Sequence, residues 1–128
     1  MKWLNVTKND VDKYLSEVHD MVHAGRYQIA ARQKNQDLYT DYVFSEADAK
    51  NVLLSLRADD FSCAVQNEHS PHPEEILYIF GKDMNLTTRF GGSEEIVPLY
   101  IKFNKIQNHY LIVISFHKQD YPLTYKFK

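Results

Sequence analysis

Val11, Tyr14, Leu15, Val18, Met21 and Val22 recur at the three- and four-residue spacing of one helical face, and Gly25 is a natural terminator. Asn9 or Asp10 is a good N-cap for this helix. Tyr27–Ala31 reads as a short strand, and the polar stretch Arg32–Tyr42 leaves room for a short helix around Asn35–Thr40. Ser45 with Asp48 has the form of a capping box, and Ala49, Val52, Leu53 and Leu56 make an apolar stripe behind it. A second helix is therefore predicted from Ser45 to Ala58. The period then shortens. Phe61–Val65 and Glu75–Phe80 read as strands, the latter buried on both faces, with a proline-punctuated loop between them. Gly81–Glu95 reads either as a hairpin built on Leu86–Phe90 or as a mobile loop. Pro98 marks the start of the next strand or an edge. Tyr121–Phe127 alternates as a final short strand.

Between these lies the clearest pattern in the chain. Leu99–Ile106 and His109–His117 are two β-rich runs separated by Gln107 and Asn108. With those two residues as the turn, Ile106 faces His109, Lys102 faces Val113 and Tyr100 faces Ser115. Alternation then puts Ile101, Phe103, Ile112, Ile114 and Phe116 on one apolar face. Tyr100, Lys102, Ser115 and His117 share the other face, where chemistry has room to occur.

Helices first and strands later predict an α+β fold, with N-terminal helices packed on a mainly antiparallel, twisted sheet. At 128 residues the chain reads as one domain with a real core. Its 44% apolar and 25% charged residues match an ordinary soluble globular protein. The N-terminus turns polar too early for a signal peptide, and no apolar run is long enough for a membrane span. The expected location is the cytoplasm, with no membrane partner. A single cysteine excludes an internal disulfide and a multi-cysteine zinc site. A formal charge of −2 gives no global attraction to nucleic acid, so an RNA function needs a local basic patch.

Several constellations carry possible chemistry. His69 and His72, beside Glu68, Glu74 and Glu75, supply metal-ligand types, but their spacing matches no metal motif and the prolines favour a solvated loop. Cys63, between Phe61 and Val65, reads as a small apolar residue of the core. No glycine-rich phosphate loop or nucleophile elbow is present. His117 stands apart from the other histidines because it ends an apolar strand on the face shared with Ser115 and Tyr100. An imidazole titrates near neutrality and suits general acid or base work, and Lys102 with a tyrosine hydroxyl could hold an anion there. The plainer reading of the same face is polar residues meeting water.

Leu15-Ser-x-Val18 with Val22-x-Ala-Gly25, Leu56-x-x-x-Asp60-Phe61, the step from Phe61 to Tyr78, Tyr100-x-Lys102, and Leu111-Ile-Val113 with Ser115-Phe116 follow one another in order. In that order the chain resembles the MqsR family of type II toxins, a branch of the RelE-like ribonucleases. The resemblance implies a cytoplasmic toxin that cleaves messenger RNA without metal or other cofactor. It also implies a cognate antitoxin as protein partner, with DNA reached only through that antitoxin. In such enzymes the ribose 2′-OH attacks the adjacent phosphate, which needs a base, an acid and charge stabilisation. The family's active tyrosine falls on Tyr100. Its active lysine falls on His117, its glutamine before the central strand on Glu75, and its other lysine on Cys63. His117, Tyr100 and Glu75 are thus the expected catalytic group, with Lys102, Lys118 and Arg89 as candidate phosphate contacts. The rival expectation is a non-catalytic protein-binding module that keeps the fold. A third is a metal enzyme using His69 and His72.

Overall fold

The computed structural model describes residues 3–68, 71–107 and 109–128. Strands β1 (Trp3–Leu4), β2 (Tyr27–Ile29), β3 (Phe61–Gln66), β4 (Ile76–Thr87), β5 (Glu94–Ile106) and β6 (Tyr110–Lys118) form one sheet in the order β1-β3-β4-β5-β6-β2. Every neighbouring pair is antiparallel except β2–β6. Helices α1 (Lys8–His23), α2 (Gln33–Asp41) and α3 (Glu46–Ser55) precede the long strands and pack with the sheet into one core. The α+β architecture with N-terminal helices against a mostly antiparallel sheet is as the hydrophobic pattern predicts. Among the described residues, no helix is long and apolar enough to cross a membrane.

The periodic positions of α1 are all buried, because one face of the helix lies on the sheet. Its cap is Thr7, not Asn9 or Asp10. The Asp10 amide donates to Thr7 Oγ1 at 3.1 Å while Asp10 Oδ2 accepts from the Thr7 amide at 2.8 Å. Asp10 is therefore the third residue of a capping box rather than its first. At the other end, Gly25 takes φ +74°, and the amides of Arg26 and Gly25 donate to the carbonyls of Met21 and Val22. This left-handed closure is why glycine ends the helix. Ser45 and Asp48 form the expected box on α3. That helix stops at Ser55 instead of Ala58, since Asp60 Oδ2 accepts from the Arg57 amide and nucleates a separate 3₁₀ turn, Ala58–Asp60.

The two alternatives for residues 81–95 resolve as a hairpin. β4 continues unbroken to Thr87, and the turn closes through Thr88 N donating to Ser93 O, with Gly91 and Gly92 at positive φ. β5 begins at Glu94, so Pro98 lies inside it rather than at its start. Pro98 still marks an edge. Its carbonyl accepts from Gln119, so its missing N–H points to the side where β6 has already ended. The strand expected at Glu75–Phe80 starts at Ile76, which is exposed, so its burial on both faces begins only at Leu77.

Tyr121–Phe127 is not a strand. β2 already occupies the outer edge of β6. The tail instead crosses the sheet, where a Cβ on Gly81 would collide with Tyr125 Oη and lie 2.8 Å from Leu123 Cδ1. It is anchored by the Lys126 amide on Phe61 O and by Phe127 stacked on Phe61 at 5.8 Å.

Candidate functional site

The pairing of β5 with β6 differs from the expected register, and the difference builds the site. Ile106 faces Tyr110 rather than His109, and Phe103 faces Val113. The loop is one residue longer than a Gln107–Asn108 turn; Gln107 takes φ 52°, and Asn108 lies outside the described residues. Leu111 and Val113 thereby enter the core, while Ile112 and Ile114, expected there, stand on the opposite face. Regular pairing continued from Val113 would set Phe116 opposite Tyr100 and turn His117 inward. A bulge prevents this. The register slips between Lys102 and Phe103, so Lys102 pairs with Ser115 and Tyr100 with His117. The four residues share a face, as alternation predicts, but through an extra residue that alternation does not reveal.

Asn35 on α2 clamps this bulge. It is 1% exposed. Its Nδ2 donates to Ile114 O at 3.0 Å and to Ala30 O at 2.9 Å, and its Oδ1 accepts from the Phe116 amide at 2.8 Å. Arg32, just ahead of α2, donates through Nη1 to Ser115 Oγ at 3.3 Å and to Ile114 O at 3.4 Å. The polar segment that gives little periodicity in sequence is therefore the support of the site.

Around the bulge lies a cavity of about 160 Å³ lined by Arg32, Lys34, Tyr100, Lys102, Ser115, His117, Asp120 and Tyr121. Lys34 Nζ bonds Asp120 Oδ2 at 2.6 Å, so three cationic side chains meet one carboxylate. The rings of Tyr100 and His117 stack at 5.3 Å with 19° between planes. His117 Nδ1 lies 2.8 Å from Lys118 O. A carbonyl only accepts, so this contact assigns the proton to Nδ1 and leaves the Nε2 lone pair available in the neutral ring. Burial pushes the Tyr100 phenol up to about 12, with Tyr121 and Cys63 adding to it. Tyr100 is thus a neutral hydrogen-bond donor at physiological pH. Burial, then neighbouring Arg32, lowers the Lys102 ammonium. Burial likewise raises the Cys63 thiol, which packs with the apolar cluster of Val65, Leu77 and Ile79 on this face.

His117, Tyr100 and Lys102 come together; the other candidates do not. Glu75 precedes β4 and accepts from Asn104 Nδ2 at 3.0 Å, outside the cavity. Arg89 is held in the far hairpin turn, where its Nη2 donates to the carbonyls of Tyr39 and Tyr42. Lys118 lines an adjoining hollow of about 210 Å³ with Lys34, Asp37, His117 and Asp120. His72 pairs with Glu74 at 3.5 Å, while His69 lies outside the described residues. Among the described residues, no three His, Cys, Asp or Glu side chains converge as a metal site would require. Arg32, Lys34, Asp120 and Tyr121 were not anticipated; no periodic signal marks them, and only folding brings them to the strand pair. Neither a protein-family model nor a curated protein matches the chain.

Proposed function

We propose that the protein is a toxin-like, metal-independent endoribonuclease of the kind its resemblance to the MqsR family implies, acting at the cavity between Arg32 and His117. The observation that carries this reading is the convergence of an imidazole, a neutral phenol and three cationic side chains on one small cavity. Such a set matches the demands of 2′-OH attack on the adjacent phosphate. In the proposed step, the 2′ oxygen bonds to phosphorus as its proton passes to His117 Nε2, and the P–O5′ bond breaks. Lys102 supplies the proton to the departing 5′ oxygen, and its lowered pKa suits it to release one. Arg32 pairs with the phosphoryl oxygens and Tyr100 donates to them as charge develops. The products are a 2′,3′-cyclic phosphate and a 5′-hydroxyl. A cognate antitoxin that occludes the cavity belongs to the same proposal.

His117→Gln keeps the size and polarity of the side chain but removes the base. Cleavage of end-labelled RNA in the presence of a chelator should fall at least about a hundredfold, the usual contribution of general acid–base catalysis. Undiminished cleavage by a folded H117Q protein sinks the assignment. One observation favours the rival, a non-catalytic protein-binding module: Asp120 enters the cavity and neutralises Lys34. For the nuclease, Asp120→Asn should raise RNA affinity by removing repulsion. For the binding module, it should leave RNA affinity undetectable.

A further inference from the structure

β4 has an unpaired stretch of edge. β3 covers it only as far as Phe80, opposite Phe61. Beyond that gap, the Val43 amide donates to Thr87 O at 2.8 Å and Tyr42 bridges Thr88. Glu75 O accepts from Asn67 on this same side. Backbone groups alternate sides along a strand, and pairing with β5 is regular from Leu77 to Thr87. The N–H and C=O groups of Asp83 and Asn85 therefore point outward with those of Glu75 and Thr87. Among the described residues, no backbone group bonds them there.

The edge opens onto a groove of about 530 Å³ between β4 and α3. Val43, Phe44, Val52, Met84 and Leu86 give it apolar walls, and Asp48 and Lys82 stand along it. Lys82 is already paired with Asp60 at 3.6 Å. Asp83 alternates to the opposite face of the strand, where it is exposed beside a separate hollow that it lines with Asp120 and Tyr121. The six uncovered residues from Gly81 to Leu86 span roughly 20 Å at the rise of a strand.

We propose that this gap receives an extended segment of a partner protein, in which apolar side chains alternate with Lys or Arg. The strand adds to β4 between β3 and Val43, bonds Asp83 and Asn85 through the backbone, and sets its apolar side chains in the groove. Its basic side chains lie beside Asp83 on the other face. A second copy of this chain pairing edge to edge about a two-fold axis would set Asp83 against Gly81, Asp83, Asn85 or Thr87 of its counterpart, none of which supplies a cation. This inference is independent of the nuclease reading, since none of its residues lines the His117 cavity.

Selection of random ten-residue peptides displayed on phage against the full chain tests the assignment, followed by amide hydrogen exchange with the enriched peptides. The expected peptides alternate apolar and basic residues and protect the amides of Asp83 and Asn85. Asn85→Pro removes the outward N–H but leaves the β4–β5 ladder intact, so it should weaken binding about tenfold in a protein with unchanged thermal unfolding. Asp83→Lys should weaken it as well. The proposal is overturned if no peptide is enriched, if the enriched peptides are acidic or lack alternation, or if N85P binds as the parent does. Protection of these amides in the free chain that grows with concentration, alongside a dimer in sedimentation, assigns the edge to self-association and also overturns it.

Discussion

Asn35 makes three hydrogen bonds from a position almost sealed from water. Replacing it by Ala strands the Phe116 amide and takes one donor each from Ala30 O and Ile114 O, which keep only their bonds from Arg32. An unmatched buried polar group costs about 1–3 kcal/mol. Asn35→Ala should therefore lower unfolding stability by about 2–4 kcal/mol in urea titration. It should also loosen the Tyr100–His117 pairing, read as a change in the His117 ring resonances. Ser45→Ala, by contrast, removes one exposed cap bond and should cost only about 1 kcal/mol. Both residues are polar in the sequence, but only one announces its role. Ser45 bonds within its own helix, where a three-residue spacing is visible. Asn35 bonds residues far along the chain, so its role exists only after β6 has packed on α2.

At the scale of elements, the tail residues 119–128 and β4 are joined by a close approach rather than by a ladder. Gly81 leaves no room for a side chain under Tyr125, Leu123 and Gln119. Gly81→Ala should push the tail off the sheet and destabilise the fold by about 1–3 kcal/mol, as overpacking does. Proteolysis after Lys118 or Lys126 would report the loosened tail. The alternation of Tyr121–Phe127 suggests a strand because these residues do lie against the sheet, yet over its face, with no free edge of β6 to join. The β5–β6 register shows the same limit from the other side. Alternation correctly groups Tyr100 with Lys102 and Ser115 with His117, since these residues lie beyond the bulge. It misplaces Ile112 and Ile114, because one extra residue inverts the β6 side chains on the turn side of the bulge.

The whole molecule carries several tyrosines whose phenols burial holds protonated. Tyr100 and Tyr42 are each pushed up to about 12, and Tyr14, stacked on Tyr78 at 3.7 Å, is also raised. The unfolded chain loses these protons near pH 10, whereas the folded chain keeps them. Stability is then fully present below pH 10 and falls as pH rises toward 12, because the unfolded state binds fewer protons there. Urea midpoints measured across that window should decline, and Tyr100→Phe should flatten part of the decline. On the acid side, burial lowers the imidazole of His19, so folding should weaken as pH falls below 6.5 and the unfolded histidine takes up its proton. His19→Gln should reduce that slope.

The sequence by itself determined the helices, the α+β order and most strands of the sheet, though not β1 or the far ends of β4 and β5, because each element read correctly rests on short-range periodicity, on a cap bond spanning three residues, or on a glycine after a helix. It also determined that Tyr100, Lys102, Ser115 and His117 share a face. Tertiary structure decided which face that is relative to the core, since a bulge held by Asn35 sets the phase of β6. It also brought Arg32, Lys34 and Asp120 to the same cavity and left Glu75 and Arg89 in other bonds. The physical reason is separation along the chain: α2 and β6 lie about 80 residues apart in sequence. No local rule encodes a contact that exists only when both elements are packed on the same sheet.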